Sequence, residues 1–248
     1  METGVGTVNR VAVVTGGSRG IGRAVAERLA RDGQVVVVVY ASNDTEAKAT
    51  VDAIEAAGGR ASAVRADVAD EAAIAALFDA TEREFGGVDV VVNAAGIMTL
   101  TPVAEMDLDA LDRMHRTNVR GAFVVAREAA RRLRPGGALV NFSTSQTRLL
   151  SPTYAAYAAS KAAVEALTPV LAKEMRGRDV TVNAVAPGPT ATDLFFNGKD
   201  EAAIERFAKL NPMERLGTPD DIAEVVSALA GPARWVNGQT VYVNGGVA

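Results

Sequence analysis

The sequence predicts an α/β protein in which one parallel, doubly wound sheet lies between two layers of helices. Short Val-rich runs alternate with helical patterns along the whole chain, and this alternation is typical of a parallel sheet covered by helices on both faces. The Val-rich runs lack the apolar–polar alternation of half-exposed strands, which indicates strands buried on both faces. Because the 248 residues contain no Pro/Gly/Ser-rich linker and no repeat, we expect a single domain over residues 1–248.

Four strands and three helices are predicted in the first half of the chain. The predicted strands are at residues 10–15, 34–39, 60–65 and 88–92. Helical patterns fill the intervals at residues 20–32, 45–57 and 70–85. Gly58-Gly59 and Gly86-Gly87 follow the second and third helices, at the place where glycine commonly ends a helix.

The second half continues the alternation with longer helices. A long helical stretch at residues 107–134 is expected to end at Pro135-Gly136-Gly137, before a strand at residues 138–143. The helix predicted at residues 154–176 contains Pro169, which has no N–H for the preceding turn and is expected to kink the helix. The remaining predicted elements are a strand at residues 180–185, helices at 201–210 and 219–230, and a last strand at 240–243.

Composition and charge argue against several classes of function. A net charge of −4 without a long basic run argues against a nucleic-acid partner. The chain has no cysteine and a single histidine, and we expect no metal site. The longest apolar run, residues 35–41, is far shorter than the ~20 residues of a membrane helix, and residues 1–9 lack the pattern of a secretory signal. We therefore expect a cytoplasmic protein with no membrane partner.

A glycine-rich turn, Thr15-Gly-Gly-Ser-Arg-Gly-Ile-Gly22, joins the first predicted strand to the first helix. Glycines let the backbone approach a pyrophosphate, and the N-terminus of the following helix presents free N–H groups to an anion. A purely structural turn is the alternative, but the position after the first strand of a doubly wound pattern favours a dinucleotide. The predicted contacts are Gly16, Ser18, Arg19, Gly20, Ile21 and Gly22.

The end of the second strand indicates which dinucleotide is preferred. An acidic residue there favours NAD, whereas a nearby arginine accommodates the 2′-phosphate of NADP. The segment reads Val39-Tyr-Ala-Ser-Asn-Asp44, with no acid before Asp44, and Arg19 lies in the adjoining turn. We therefore expect Tyr40, Ser42 and Asn43 to face the adenosine end of NADP(H), with NAD(H) as the alternative cofactor.

Tyr157 and Lys161 stand four residues apart on a predicted helix, so their side chains share one face. A free phenol titrates near pH ~10, and a neighbouring cation lowers its pKa. The pair therefore predicts a tyrosine that exchanges a proton with a carbonyl or alcohol oxygen. For the pair taken alone, an ordinary surface contact is the alternative.

Together these motifs resemble the short-chain dehydrogenase/reductase family in its single-domain form, which has a Rossmann-type fold. The resemblance extends over nearly the whole chain, and the motifs follow the family's order. They are residues 15–22, Asp67-Val68, Asn93-Ala-Ala-Gly96, Asn118, Ser143-Thr-Ser145, Tyr157 with Lys161, Pro187-Gly188 with Thr190 and Thr192, and Val243-Asn-Gly-Gly.

The resemblance implies a role for each matching residue. Tyr157 would be the acid/base, and Lys161 would lower its pKa and bind the nicotinamide ribose. Asn118 would interrupt its helix and hold a water in a proton relay. The implied cofactor contacts are Asp67 and Val68 at the adenine, Asn93, Ala94, Ala95 and Gly96 along the cofactor, and Pro187, Gly188, Thr190 and Thr192 around the nicotinamide.

Two positions depart from the family pattern. The usual Asn-Asn-Ala-Gly is Asn-Ala-Ala-Gly at residues 93–96, where small residues still permit close backbone approach. The catalytic serine commonly lies thirteen residues before the tyrosine, and this chain has Thr144 at that position. A shift of one residue in the loop would bring in Ser145, so both hydroxyls stay open as the second donor.

The implied reaction is NADP(H)-dependent hydride transfer between the nicotinamide and a ketone or secondary alcohol. A 3-oxoacyl thioester is the first expected substrate class, a general ketone or secondary alcohol the second, and an NAD-linked polyol or sugar the third. A non-catalytic nucleotide-binding regulator is the alternative from another class. Residues 193–216 are expected to form an apolar lid, on which Arg206, Lys209 and Arg215 are the cations available to an acidic carrier.

The resemblance also implies a homotetramer or homodimer, formed through the long helices around Asn118 and Tyr157. Small residues would permit close approach of helices there, although the same residues could pack against the sheet. These residues are Ala155, Ala156, Ala162 and Ala163.

Overall fold

A computed structural model describes residues 10–248, and the expectation for residues 1–9 lies outside them. Within residues 10–248, seven parallel strands form one sheet in the order β3-β2-β1-β4-β5-β6-β7, so the chain winds outward from β1 in both directions. The strands are β1 Val11–Thr15, β2 Val35–Tyr40, β3 Arg60–Arg65, β4 Val88–Asn93, β5 Leu133–Phe142, β6 Thr181–Pro187 and β7 Thr240–Val243. The predicted doubly wound α/β fold is confirmed.

Helices cover both faces of this sheet. The core on one face contains side chains of α3, α5 and α7, and the core on the other contains side chains of α1, α2 and α10. The helices are α1 Gly20–Arg31, α2 Asp44–Ala56, α3 Glu71–Phe85, α4 Leu108–His115, α5 Gly121–Arg132, α6 Gln146–Leu149, α7 Ala155–Glu174, α8 Asp193–Phe196, α9 Glu201–Ala208 and α10 Pro219–Ala230. No helix between residues 10 and 248 has both the length and the apolar character needed to cross a membrane.

Successive side chains of a strand enter opposite cores. On β1, Val11 and Val13 pack with the α3–α5–α7 layer, while Ala12 and Val14 pack with the α1–α2–α10 layer. All four are buried, which explains why the strand shows no apolar–polar alternation. Burial of such a side chain contributes roughly 1.5–3 kcal/mol each, so the Val-rich strands account for much of the driving force for folding.

The predicted long helix at residues 107–134 is wrong in two respects. It is divided into α4 and α5 by a π-helical turn at Arg116–Arg120, and it ends at Arg132. Strand β5 begins at Leu133, which pairs with Val88, and the pairing resumes at Ala138 with Val90. Residues 134–137 interrupt the regular pairing of β5 with β4 near the start of β5. They do not form a separate turn between helix and strand.

Helix α7 continues through Pro169, which lies in its C-terminal half. Beside it, the Thr168 hydroxyl donates to the carbonyl of Val164 at 2.9 Å. Proline removes a backbone hydrogen bond, and a threonine bond to the preceding turn commonly bends a helix, so both features favour the predicted kink.

Candidate active site

A cleft of about 520 Å³ opens at the carboxyl ends of the strands. Its walls come from the turn after β1, the end of β2, the segments after β3, β4, β5 and β6, and the first turns of α7. Open parallel sheets bind ligands at this edge, at the point where the strand order reverses. Here that point is β1 between β2 and β4.

The glycine turn forms the floor of one part of the cleft. A Cβ on Gly22 would overlap the carbonyl oxygen of Gly16, so the turn requires glycine at position 22. Helix α1 begins after Arg19 without a side-chain cap, whereas the Asn43 and Asp70 side chains cap α2 and α3. The first N–H groups of α1 thus remain available to an anion in the cleft, as a pyrophosphate requires.

The adenosine end predicted from the sequence lies between this turn and the end of β2. Arg19 is exposed there and forms no ion pair within residues 10–248. Asn43 uses its Oδ1 to accept the Glu46 N–H at 3.1 Å, and Tyr40 and Ser42 line the same end. Burial, followed by a hydrogen bond to Asp44, raises the pKa of Tyr40.

Glu46 also lines the adenosine end, and the sequence reasoning missed it. Its Oε2 is buried and has no hydrogen-bond partner within the described part of the chain. The spacing Asn43-x-x-Glu46 is that of a capping box, which would have assigned Glu46 to the helix rather than to the cleft. A carboxylate here accepts hydrogen bonds from hydroxyl groups and repels a phosphate.

Asp67 lies in the cleft wall in a paired state. Its carboxylate accepts from the Arg116 guanidinium at 2.6 Å and from the Ala69 N–H at 2.9 Å. Burial acts to raise the pKa of Asp67, but these hydrogen bonds prevail and lower it. The carboxylate is therefore ionised and held in place at neutral pH, next to Val68.

Asn93 does not reach the cleft, contrary to the expectation that it lines the cofactor. It ends β4 beside Thr15 and Asn141, and all three are buried. The Thr15 hydroxyl donates to Asn93 Oδ1 at 3.1 Å, and Asn93 Nδ2 donates to Asn141 Oδ1 at 3.4 Å. Asn93 thus supports the cleft floor from below, because its amide is committed to neighbouring strands.

Asn118 lies at the π-helical turn, where the resemblance implies an interruption of the helix. Its Oδ1 accepts the Ile97 N–H at 2.9 Å, and its Nδ2 donates to the Ile97 carbonyl at 2.8 Å and to Ser160 Oγ at 3.0 Å. The buried side chain therefore fastens the segment after β4 to α7. Asn118 is not among the residues that line the cleft.

Thr144 and Ser145 point in different directions. The Ser145 hydroxyl donates to the Ala186 carbonyl at 3.3 Å and accepts from Asn244 Nδ2 at 3.2 Å. The Thr144 hydroxyl stands beside the phenol of Tyr157, where it favours the phenolate. The geometry therefore separates the two hydroxyls that the sequence left open, since only that of Thr144 adjoins Tyr157.

Tyr157 and Lys161 meet at the inner end of the cleft, although not with the electrostatic effect predicted. Lys161 Nζ donates to the Phe142 carbonyl at 2.9 Å and stands 6.0 Å from the centroid of the Tyr157 ring. Burial raises the pKa of Tyr157 to about 12, against the opposing effect of Thr144. Burial also lowers the pKa of Lys161 to about 8. The predicted lowering of the phenol pKa is not found, because desolvation outweighs the hydrogen bond from Thr144 and Lys161 is not among the groups that shift it.

The wall facing Tyr157 is largely apolar. Tyr154 packs edge-to-face on Tyr157 with ring centroids 6.5 Å apart, and Phe195 packs edge-to-face on Phe207 at 5.5 Å. Further apolar side chains that line the cleft are Ile97, Met98, Leu149 and Leu194. Residues of α8 and α9 thus lie against the cleft, as the lid prediction requires.

Most of the predicted site residues line this one cleft. On the catalytic side these are Thr144, Ser145, Tyr157 and Lys161. On the cofactor side they are Gly16, Ser18, Arg19, Gly20, Ile21, Gly22, Tyr40, Ser42, Asn43, Asp67, Val68, Ala94, Ala95, Gly96, Pro187, Gly188, Thr190 and Thr192. Asn93 and Asn118 act from behind the wall.

Comparison with known proteins agrees with this geometry. Residues 16–248 match the family described as enoyl-(acyl carrier protein) reductase. A short-chain type dehydrogenase/reductase of Picea abies is 46% identical, and the alignment covers 96% of this chain and 92% of the relative. The chain belongs to the short-chain dehydrogenase/reductase family. It is therefore an oxidoreductase, as the resemblance implied.

Two further similar proteins carry more specific names. One is an NADPH-dependent aldehyde reductase-like protein, chloroplastic, of Arabidopsis thaliana, which is 42% identical over 96% of this chain and 93% of its own length. The other is a solved short-chain dehydrogenase of Burkholderia cenocepacia J2315 in complex with NADP, with 38% identity, a TM-score of 0.90, and coverage of 97% of this chain and 98% of that chain.

Proposed function

We propose that the protein is an NADP(H)-dependent reductase of apolar aldehydes or ketones, with Tyr157 as the acid. The observation that carries this proposal is that one cleft holds the glycine turn at the uncapped start of α1 together with Tyr157, Thr144 and Lys161. A dinucleotide is long enough to reach from such a turn to a reacting centre at the strand ends. The name of the Arabidopsis relative and the NADP complex of the Burkholderia structure support the cofactor.

The residues present fit a dinucleotide. The amides of the glycine turn and α1 would bind the pyrophosphate, and Arg19 would pair with a 2′-phosphate. Lys161 and the residues around Pro187 would hold the ribose and carboxamide at the inner end. When bound, the nicotinamide supplies the hydride that adds to the carbonyl carbon.

Tyr157 would protonate the carbonyl oxygen as the C–O double bond is reduced. With a pKa of about 12, its phenol carries the proton at neutral pH, the state that a proton donor requires. The Thr144 hydroxyl would donate the second hydrogen bond to the same oxygen, in the role usually held by serine. A relay through Asn118 and Lys161 would return the proton to Tyr157 from solvent.

The substrate class follows from the wall around Tyr157. Its aromatic and aliphatic side chains favour an apolar compound, and the lid of residues 193–216 would cover it. Two of the three lid cations predicted to serve an acidic carrier are paired within the chain. Lys209 Nζ contacts Glu205 at 2.6 Å, and Arg215 forms two bonds with Asp221 at 2.6 and 3.0 Å. A small ketone or aldehyde is therefore favoured over a carrier-bound 3-oxoacyl thioester.

NAD(H) remains a second candidate cofactor because of Glu46. Its unpartnered Oε2 offers an acceptor to a ribose hydroxyl at the end where Arg19 offers a cation to a phosphate. Glu46 favours NAD(H) and Arg19 favours NADP(H). The Kd of each cofactor measures which of the two effects is larger.

We also infer a homodimer or homotetramer and a cytoplasmic location. Apolar side chains are exposed on the long helices, with Phe123 of α5 half exposed and Val170 of α7 likewise. Ala155 and Ala162 are exposed on α7 as the assembly prediction requires, whereas Ala156 faces inward. The name of the Arabidopsis relative contains the word chloroplastic, which describes that protein. The cytoplasmic location of this chain stays a prediction.

The test is the oxidation of NADPH and NADH, followed by absorbance, with a panel of carbonyl compounds. The panel contains an apolar aldehyde, an aromatic ketone, a 3-oxoacyl thioester and a ketose. We expect turnover with NADPH and the apolar compounds. Preference for the thioester would overturn the substrate class, and tight NADPH binding without turnover of any compound would favour a nucleotide-binding regulator.

A further inference from the structure

A cluster of polar side chains lies behind the site, around Glu165 of α7. Its Oε1 accepts from the Ser143 hydroxyl at 2.6 Å and from the Thr147 hydroxyl at 2.8 Å. The Tyr242 hydroxyl of β7 donates to the same oxygen at 3.3 Å, and the Arg148 guanidinium lies 3.8 Å from the centre of the Tyr242 ring. One carboxylate thus joins three separate elements.

Glu165 shares a helix face with the acid/base pair. It follows Lys161 by four residues and Tyr157 by eight, so the three side chains stand one above the other along α7. All three contact the same short segment, residues 142–147, which we call the donor segment. Tyr157 adjoins Thr144, Lys161 donates to the Phe142 carbonyl, and Glu165 binds the donor segment at Ser143 and Thr147.

The contacts of Glu165 flank the residue that carries the donor. Ser143 directly precedes Thr144, and Thr147 Oγ1 also lies 2.9 Å from the Thr144 carbonyl oxygen, so its one hydroxyl proton is shared between that carbonyl and Glu165. The backbone is also held from the sheet, since the Ser143 and Ser145 N–H groups donate to Val185 and Pro187 carbonyls. The orientation of Thr144 is therefore fixed from β6 on one side and from Glu165 on the other.

We propose that Glu165 is a positioning residue, which holds the donor segment so that the Thr144 hydroxyl faces the substrate oxygen beside Tyr157. This inference rests on the proposed function of Thr144 and Tyr157. Hydrogen bonds to a charged acceptor are the stronger ones, and a carboxylate offers lone pairs to several donors at once. Neither a neutral amide nor an apolar residue at position 165 accepts all three hydroxyls equally well.

The first test compares Glu165→Gln and Glu165→Ala with Glu174→Gln, which changes an exposed residue near the end of the same helix. Removing hydrogen bonds to a charged group predicts a fall in kcat of about 10-fold for Glu165→Ala, with less loss for Glu165→Gln. The Kd for NADPH should stay unchanged, because Glu165 does not line the cleft. Glu174→Gln should leave kcat unchanged.

A double-mutant cycle tests whether Glu165 acts through Thr144. In a Thr144→Ala background, Glu165→Ala should lower kcat less than twofold further, because the donor it positions is gone. Multiplicative losses in the double variant would mean that Glu165 acts independently of Thr144 and would overturn the proposal. The proposal would also be overturned if the wild-type enzyme is active and Glu165→Ala leaves kcat unchanged.

A measurement without turnover keeps the proposal testable if no substrate in the panel reacts. Hydrogen–deuterium exchange of the full chain, followed by mass spectrometry, should show faster exchange at residues 143–147 in Glu165→Gln than in wild type. Exchange elsewhere and in Glu174→Gln should be unchanged. Unchanged exchange in the donor segment would overturn the positioning role, whereas an inactive wild type with the expected exchange would count only against the proposed function.

Discussion

At the scale of single residues, burial decides the protonation state of the site. Four-residue spacing placed Tyr157 and Lys161 on one face correctly, but spacing carries no information on desolvation. In the structure burial raises the pKa of Tyr157 to about 12 and lowers that of Lys161 to about 8. Both shifts favour the uncharged form of each group. The protein alone therefore presents a protonated phenol, which suits reduction better than oxidation at neutral pH.

The two directions of the reaction should depend on pH differently. Oxidation of an alcohol needs the Tyr157 phenolate, so its rate should rise about tenfold per pH unit between pH 7 and 9. Reduction uses the protonated phenol and should be nearly constant up to pH about 7, above which Lys161, with a pKa of about 8, loses its charge. Rate–pH profiles at saturating cofactor measure both. An oxidation rate that is already constant at pH 7 would contradict a phenol with a raised pKa.

Arg19 should select NADPH over NADH. Arg19→Ala removes the exposed cation at the adenosine end, and a charge-assisted contact of this kind is worth about tenfold in Kd. Fluorescence titration should show that loss for NADPH and almost none for NADH. Arg23→Ala is the matched control, since Arg23 lies on α1 but pairs with Glu27 at 2.7 Å. Equal losses for both cofactors in Arg19→Ala would remove the case for NADP and leave Glu46 as the stronger determinant.

At the scale of elements, the sequence predicted strands better than helix interruptions. The predicted strands lie within a few residues of the observed ones, except β5, whose start at Leu133 depends on pairing with Val88. The break between α4 and α5 was implied only by the resemblance at Asn118. The break coincides with the bond of Asn118 to Ile97, a partner 21 residues earlier in the chain. Periodicity within one segment cannot reveal a partner in another.

The start of α10 should be sensitive to acid. Asp221 accepts from the Arg215 guanidinium and from Thr218 in a capping box, and these bonds hold the pKa of Asp221 below its ordinary value. Its folded-state pKa is lowered, so the stabilisation is present above pH ~4 and is lost as the pH falls further. Asp221→Asn should reduce the free energy of unfolding by about 1 kcal/mol at pH 7.

Urea denaturation of Asp221→Asn at pH 7 and at low pH measures this effect. Asp220→Asn is the control, because Asp220 is exposed in the same turn and makes no side-chain bond within the described residues. The difference between Asp221→Asn and wild type should shrink in acid. A difference that is the same at both pH values would show that the carboxylate charge contributes nothing.

At the scale of the whole molecule, the doubly wound order brings distant segments to one edge. The sequence predicted that strand ends carry the site, and most of the predicted residues line one cleft. It did not distinguish polar residues in the cleft from those beneath it. Asn93 resembles a cofactor contact in sequence, yet its amide bonds to Asn141 of the neighbouring strand. Glu165 went unnoticed because its partners lie just after β5, in α6 and on β7.

The central claim is that this cleft reduces a carbonyl compound with Tyr157 as the proton donor. The most direct test is NADPH oxidation by wild type, Tyr157→Phe and Tyr154→Phe with the best substrate of the panel. Tyr154 is the matched control, since its ring packs on Tyr157 and lines the same cleft. We predict that Tyr157→Phe loses about 10²–10⁴-fold in kcat with its NADPH affinity retained, while Tyr154→Phe loses little. A kcat of Tyr157→Phe equal to that of wild type would contradict this claim.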